Sequence, residues 1–135
     1  VPIVKGGRAI KLAQMFFTLE LMDYLAAMHY EVFSAIHDQG ENLWDLDVRK
    51  RWVGSKGIDA ERFEEISNSD QVSKRIEEAR EIGDFFNVMT TPTLIIDRRY
   101  WTSAGMIQSR DRLASVLDYL LKQASLNRQS MTQSP

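Results

Sequence analysis

The sequence predicts an α/β domain that is mostly helical by residue count, a small sheet whose β elements are separated by a helical insertion. Apolar residues recur at spacings of three and four through most of residues 8–86, the signature of amphipathic helices. β-branched and aromatic runs are confined to Val1-Pro2-Ile3-Val4 at one end and to Thr93–Asp97 and Tyr100-Trp101-Thr102 near the other. The order is therefore strand, four or five helices, two adjacent strands, helix. β elements so far apart share a sheet only if the helices between them are inserted into it.

Val1 to Val4 reads as a strand with its proline near the start, where a missing N–H is tolerated. Gly6-Gly7 ends it. From about Arg8 to Leu25, Leu12, Met15, Phe16, Leu19 and Met22 mark one helix face. Phe17, Leu21 and Leu25 widen it, so burial on two sides is expected. A second helix over about Ala27–Asp38 is expected to bury Tyr30, Phe33 and either Ile36 or His37, with Gly40 as its stop. Leu43 and Trp44 read as loop residues plugging into the helical cluster.

A third helix spans about Asp45–Ser55, with Gly57 after it. Asp59 caps a short fourth helix burying Phe63 and Ile66. Ser69 or Asp70 caps a long fifth helix whose stripe is Val72, Ile76, Ala79, Ile82, Phe85 and Phe86. Its wet face carries Lys74, Arg75, Glu77, Glu78 and Arg80 at ion-pair spacings, and Asn87 suits the left-handed residue that ends a helix. Leu94-Ile95-Ile96 is continuously apolar, which suggests a strand buried on both faces. Asp97-Arg98-Arg99 turns it into Tyr100-Trp101-Thr102, although no glycine supplies the positive φ that tight hairpins favour. Ser109 caps a last helix bearing Leu113, Val116, Leu117, Leu120 and Leu121. The polar residues 125–135 are expected to be disordered.

Composition narrows the function classes. At 135 residues, 44% hydrophobic and 27% charged, the chain fits one ordinary globular body. Seventeen basic and 19 acidic residues leave a net charge of −2, so no global field favours nucleic acid. Lys50 and Arg51 stand among Asp45 and Asp47 and read as a solvated helix face. There is no cysteine, which excludes a disulfide, a thiolate metal site and a cysteine nucleophile within these residues. No apolar run approaches a membrane span. The chain opens on Val1 in a strand-like run and reads as a processed product or a portion of a longer protein.

Few residues look like chemistry. His29 and His37, eight apart, share a helix face, but no ligand motif joins them to a third group, and they read as structural. Glu64-Glu65 and Glu77-Glu78 are adjacent and so point apart on a helix, which makes an acid/base pair unworkable. Gly6-Gly7 lacks the lysine and spacing of a phosphate loop, and Ser109 and Ser115 have no local base. No metal and no cofactor are expected. One feature stands out, Thr91-Pro92-Thr93, where the only proline inside the body of the chain joins a long helix to the hairpin. Most X-Pro bonds are trans, and a trans proline opening a strand is the reading from physics alone.

The stretch Ala79–Gly105 resembles the second half of a thioredoxin-like fold. It runs Phe86-Asn87-Val88, Met89-Thr90, Thr91-Pro92-Thr93, Leu94-Ile95-Ile96, Asp97-Arg98-Arg99 and Tyr100. With Phe33-Ser34-Ala35-Ile36-His37, Gly57-Ile58-Asp59, Phe63 and Asn68-Ser69, the whole of residues 1–123 is similar to the DsbA-like thiol:disulfide interchange proteins. These carry a helical domain inserted in the thioredoxin fold.

The resemblance implies a partial thioredoxin-like fold: a strand in 1–7, a helical insertion over 8–69, the second half of the fold over 70–124 and a disordered tail over 125–135. It implies that Pro92 is cis and that Thr91 and Pro92 bind an extended substrate. It implies the C-terminal portion of an oxidoreductase that introduces or exchanges disulfides in extracytoplasmic proteins, lacking the part with Cys-x-x-Cys. The chain alone is then inactive. Unfolded protein substrates and a membrane redox partner follow from the family. Self-association through an exposed sheet edge follows from the truncation.

Three departures stand against the pattern: there is no Cys-x-x-Cys, Asn87 and Thr90 replace glycines, and the hairpin turn lacks Asn-Gly. They keep two alternatives open, a non-catalytic peptide-binding thioredoxin-like module and a portion of a kappa-class glutathione transferase or 2-hydroxychromene-2-carboxylate isomerase-like enzyme.

Overall fold

The computed structural model describes residues 2–89, 93–97, 99–103 and 110–132. The chain divides into two compact units, residues 1–85 and 86–135.

The first unit is helical: α1 (Gly7–Leu21), α2 (Leu25–His37), α3 (Leu46–Ser55), α4 (Ala60–Ser67) and α5 (Asp70–Phe85). Helix α1 is its centre and packs on α2, α4 and α5. One face sends Met15 and Leu19 into a cluster with Ala35, Leu43, Trp52, Val53, Ile58 and Phe63. The other sends Ala13 and Phe17 to Val4, Val72 and Ala79. The two-sided burial expected of this helix is thus observed. Each large side chain so buried contributes on the order of 1.5–3 kcal/mol. Thr18, also buried, satisfies its hydroxyl by donating to the Gln14 carbonyl at 2.7 Å.

The expected cap at Asp59 is observed, and Asp45, which was read only as the start of the third helix, caps α3 in the same way. Asp45 Oδ1 accepts from the Asp47 and Val48 amides at 3.0 and 3.1 Å, and Asp59 Oδ1 accepts from Glu61 and Arg62, both at 3.0 Å. Gly40 and Gly57, with φ of 70° and 76°, follow α2 and α3 in the left-handed region that glycine enters without penalty. Asn87 has φ 46° just beyond α5, as expected of it. Leu43 is fully buried. Trp44 is half-buried, with the Arg8 guanidinium 4.9 Å from its ring centre.

Three expectations are corrected here. Pro2–Val4 forms no strand among the described residues, and Val4 is instead a core anchor. A strand exists only where a neighbouring backbone completes its ladder, and composition cannot supply that neighbour. Helix α2 is rotated from the expected face: Leu25, Met28, Val32, Ala35 and Ile36 turn inward, while Tyr30 is 75% and Phe33 51% exposed. Both stripes have helical spacing, and the aliphatic one packs. Finally, the α5 stripe is buried only at Val72 and Ala79, and Ile82 and Phe85 are exposed.

The second unit holds β1 (Thr93–Ile96), β2 (Tyr100–Ser103) and α6 (Arg110–Thr132). The strands pair antiparallel, with Thr93 opposite Ser103 and Ile96 opposite Tyr100, and α6 packs on β1. Leu94, Ile95 and Ile96 are half-buried, not enclosed on both faces as expected, while Thr102 and Ser103 are buried. Asp97 takes φ 53°, so it supplies the positive φ that the turn lacked a glycine for. Helix α6 runs to Thr132, through residues where the sequence predicts disorder. Its apolar stripe continues to buried Ala124. Polar Asn127 and Arg128 then bond to the hairpin.

Candidate functional site

Thr91 and Pro92, the residues expected to bind substrate, lie outside the described residues, as does Thr90. The hairpin that receives them is described. Thr93 opens β1 and registers against Ser103 at the end of the hairpin away from its turn. On the other side of residues 90–92, Val88 is buried and Met89 exposed. Among the described residues the sheet has two strands, β1 and β2, so each strand forms one of its edges. Such an edge offers backbone N–H and C=O groups to an extended peptide.

The turn end of the hairpin is tied to α6. Asn127 Nδ2 donates to Tyr100 Oη at 2.8 Å. Arg128 donates from Nη2 at 2.5 Å and from Nε at 3.1 Å to Asp97 Oδ1. The hydrogen bond from Arg128 holds the Asp97 carboxyl below its ordinary range, with the charges of Arg128 and Arg99 adding to it. No local pattern announced this clamp, because the partners are 27 and 31 residues apart and Asn127 and Arg128 lie in a stretch read as tail.

The other singled-out residues resolve into structure. His29 and His37 do share a face of α2, but the Phe33 ring stands between them, 5.0 Å from one and 5.8 Å from the other. Glu64 pairs with Lys50 at 2.5 Å and Glu65 with Arg62 at 2.6 Å, so the adjacent carboxylates serve separate ion pairs. Glu77 pairs with Arg80, and Glu20 with Arg75. Arg49 was not singled out by sequence, yet it is buried. Its Nη1 donates to the Lys11 carbonyl at 3.1 Å, its Nε has no partner among the described residues, and burial lowers its pKa against the pull of Asp45 and Glu64. Its spacing of three and four from Trp52 and Val53 was the available signal.

No described residue can act as a redox nucleophile, since the chain has no thiol. The sequence model of the DSBA-like thioredoxin domain matches residues 1–120. The chain belongs to this DsbA-like family. It is 28% identical over 122 residues to the thiol:disulfide interchange protein DsbA of Pseudomonas aeruginosa, covering 90% of this chain and 58% of that protein. It is 27% identical to the protein of that name from Azotobacter vinelandii, covering 91% and 58%. The crystal structure of Pseudomonas aeruginosa DsbA superposes with a TM-score of 0.88 at 26% identity, over 96% of this chain and 67% of that one. The thioredoxin-like, DsbA-type fold expected from sequence is therefore shown. The DsbA-like chain spans a little over half the length of these curated relatives.

Proposed function

We propose that this chain is the C-terminal portion of a DsbA-like thiol-disulfide oxidoreductase acting on extracytoplasmic proteins. The carrying observation is a family match over residues 1–120 in a chain that has no cysteine and spans 58% of its Pseudomonas aeruginosa relative. In this reading the thiol pair is contributed from outside these residues, and Thr91 and Pro92 form the substrate loop. A substrate thiolate attacks the enzyme's disulfide, forming a mixed disulfide and releasing one enzyme thiolate. A second substrate thiolate attacks the mixed disulfide, which frees the enzyme dithiol and leaves the substrate oxidised by two electrons. The role of this chain is to pair the substrate backbone beside β1, holding its sulfur in line.

The absence of cysteine favours a second reading, a peptide-binding thioredoxin-like module without catalysis. The nucleotide sequence before the Val1 codon separates the two. A Cys-x-x-Cys there supports the oxidoreductase. A serine or single cysteine points to the glutathione-using isomerases, and a start codon leaves the binding module. Location outside the cytoplasm and a membrane redox partner belong to the same proposal. Among the described residues no helix is long and apolar enough to cross a membrane.

A further inference from the structure

A cleft in the helical unit opens between α1 and α2. It is lined by Phe16, Glu20, Asp23, Leu25, Ala26 and His29 and is a shallow groove open to solvent, with a volume of about 540 Å³. Its floor is apolar and aromatic, and the Phe16 and His29 rings meet edge-on at 6.3 Å. Beyond it the aromatic column continues along α2 to Phe33 and His37, so the apolar strip is longer than the cleft.

The rim carries two carboxylates, one of them already paired. Glu20 and Asp23 are carboxylates, and no lysine or arginine lines the cleft. Glu20 is neutralised by Arg75. The Asp23 carboxylate makes no hydrogen bond or ion pair among the described residues, and it sits at the corner between the helices with φ 63°. A purely apolar occupant gives this carboxylate nothing, and an anionic one is repelled by it. An occupant with a cation beside a hydrocarbon group satisfies both parts, since the cation also gains from an aromatic face.

We propose that the α1–α2 cleft docks a segment of another protein in which an arginine or lysine stands beside an aliphatic residue. The aliphatic side chain lies on Phe16, Leu25 and His29, and the cation on Asp23. The thiol chemistry proposed above is not needed for this contact, so the two stand or fall separately.

The test titrates the isotopically labelled chain with acetyl-Leu-Arg-Leu-amide, and with the glutamate analogue as control, following the Phe16 and His29 ring signals. The arginine peptide is expected to shift both at concentrations up to about 5 mM, the range of weak contacts, and the glutamate peptide neither. Asp23→Asn, which suits the positive φ, should weaken binding about threefold, the size of one exposed ion pair. Ala26→Arg, at an exposed helix position, should abolish it by placing a cation in the cleft, with the thermal melt unchanged. Equal response to the two peptides, shifts elsewhere, no shifts at all, or indifference to Asp23→Asn would each overturn the proposal.

Discussion

Arg128 on α6 clamps Asp97 at the turn of the hairpin. The guanidinium donates twice to one carboxylate oxygen of a residue held at φ 53°. A non-glycine residue in that region is disfavoured, and a partner fixed in place from α6 offsets the cost. Replacing Arg128 by Ala should speed amide exchange at Arg99 and Tyr100, with little change in the helical unit. Asp97→Gly, which removes the backbone penalty, should restore part of the lost protection.

The same pair gives a pH dependence with a defined sign. The Asp97 carboxyl is held below its ordinary range, chiefly by the Arg128 hydrogen bond, so its contribution is complete above the pKa of an unfolded aspartate. It is lost as pH falls through the lower folded value. Hairpin protection should therefore drop on acidification below the usual carboxylate range in the wild type and stay flat in Asp97→Asn. Hydrogen exchange at several acidic pH values reads this.

The tail contributes to the fold. Removing residues 125–135 takes away Asn127 and Arg128 together, and should loosen the hairpin more than Tyr100→Phe, which loses one hydrogen bond worth roughly 0.5–1.5 kcal/mol. Denaturant unfolding of the two variants compares them directly.

Core substitutions discriminate the observed face of α2 from the expected one. Phe63→Ala should cost about 3–5 kcal/mol, because Phe63 is fully buried in the main cluster. Tyr30→Ala and Phe33→Ala should each fall within about 0.5 kcal/mol, as exposed positions do. A large loss at Phe33 would mean that the aromatic stripe is packed after all.

Arg49 makes a further case. A buried guanidinium with an unpartnered Nε is retained at a desolvation cost, and a hydrophobe of similar length is often no worse. Arg49→Met should melt at or above the wild-type temperature. A loss of about 3 kcal/mol or more would show that Asp45 and Glu64 hold it as a strong pair.

Much of this was legible in the sequence, for local reasons. Asp59, Gly40, Gly57 and Asn87 were readable because caps and stops depend on the residue and its immediate backbone. The two-sided burial of α1 was readable because two apolar stripes leave few other arrangements. Where two stripes competed, as on α2, periodicity alone could not choose. The aliphatic residues packed, and Tyr30 and Phe33 stayed outside. The Val1–Val4 strand and the disordered tail failed for one shared reason. A strand needs a neighbour, and a polar helix end is ordered by remote partners such as Tyr100 and Asp97. Of the candidate site, Thr91-Pro92-Thr93 stood out through its lone interior proline, but a substrate-binding role for it was legible only as a family pattern, and the cleft beside Asp23 left no motif to read.

The most direct test of the central claim is an exchange assay on the complete product of the gene. A peptide with two reduced cysteines is supplied, and disulfide formation is followed alongside the 135-residue chain alone. The account predicts catalysed oxidation through a trappable mixed disulfide by the complete product, slowed when Thr91 is replaced by Pro to remove its backbone N–H, and none by the chain alone. A complete product without Cys-x-x-Cys and without catalysis would contradict it.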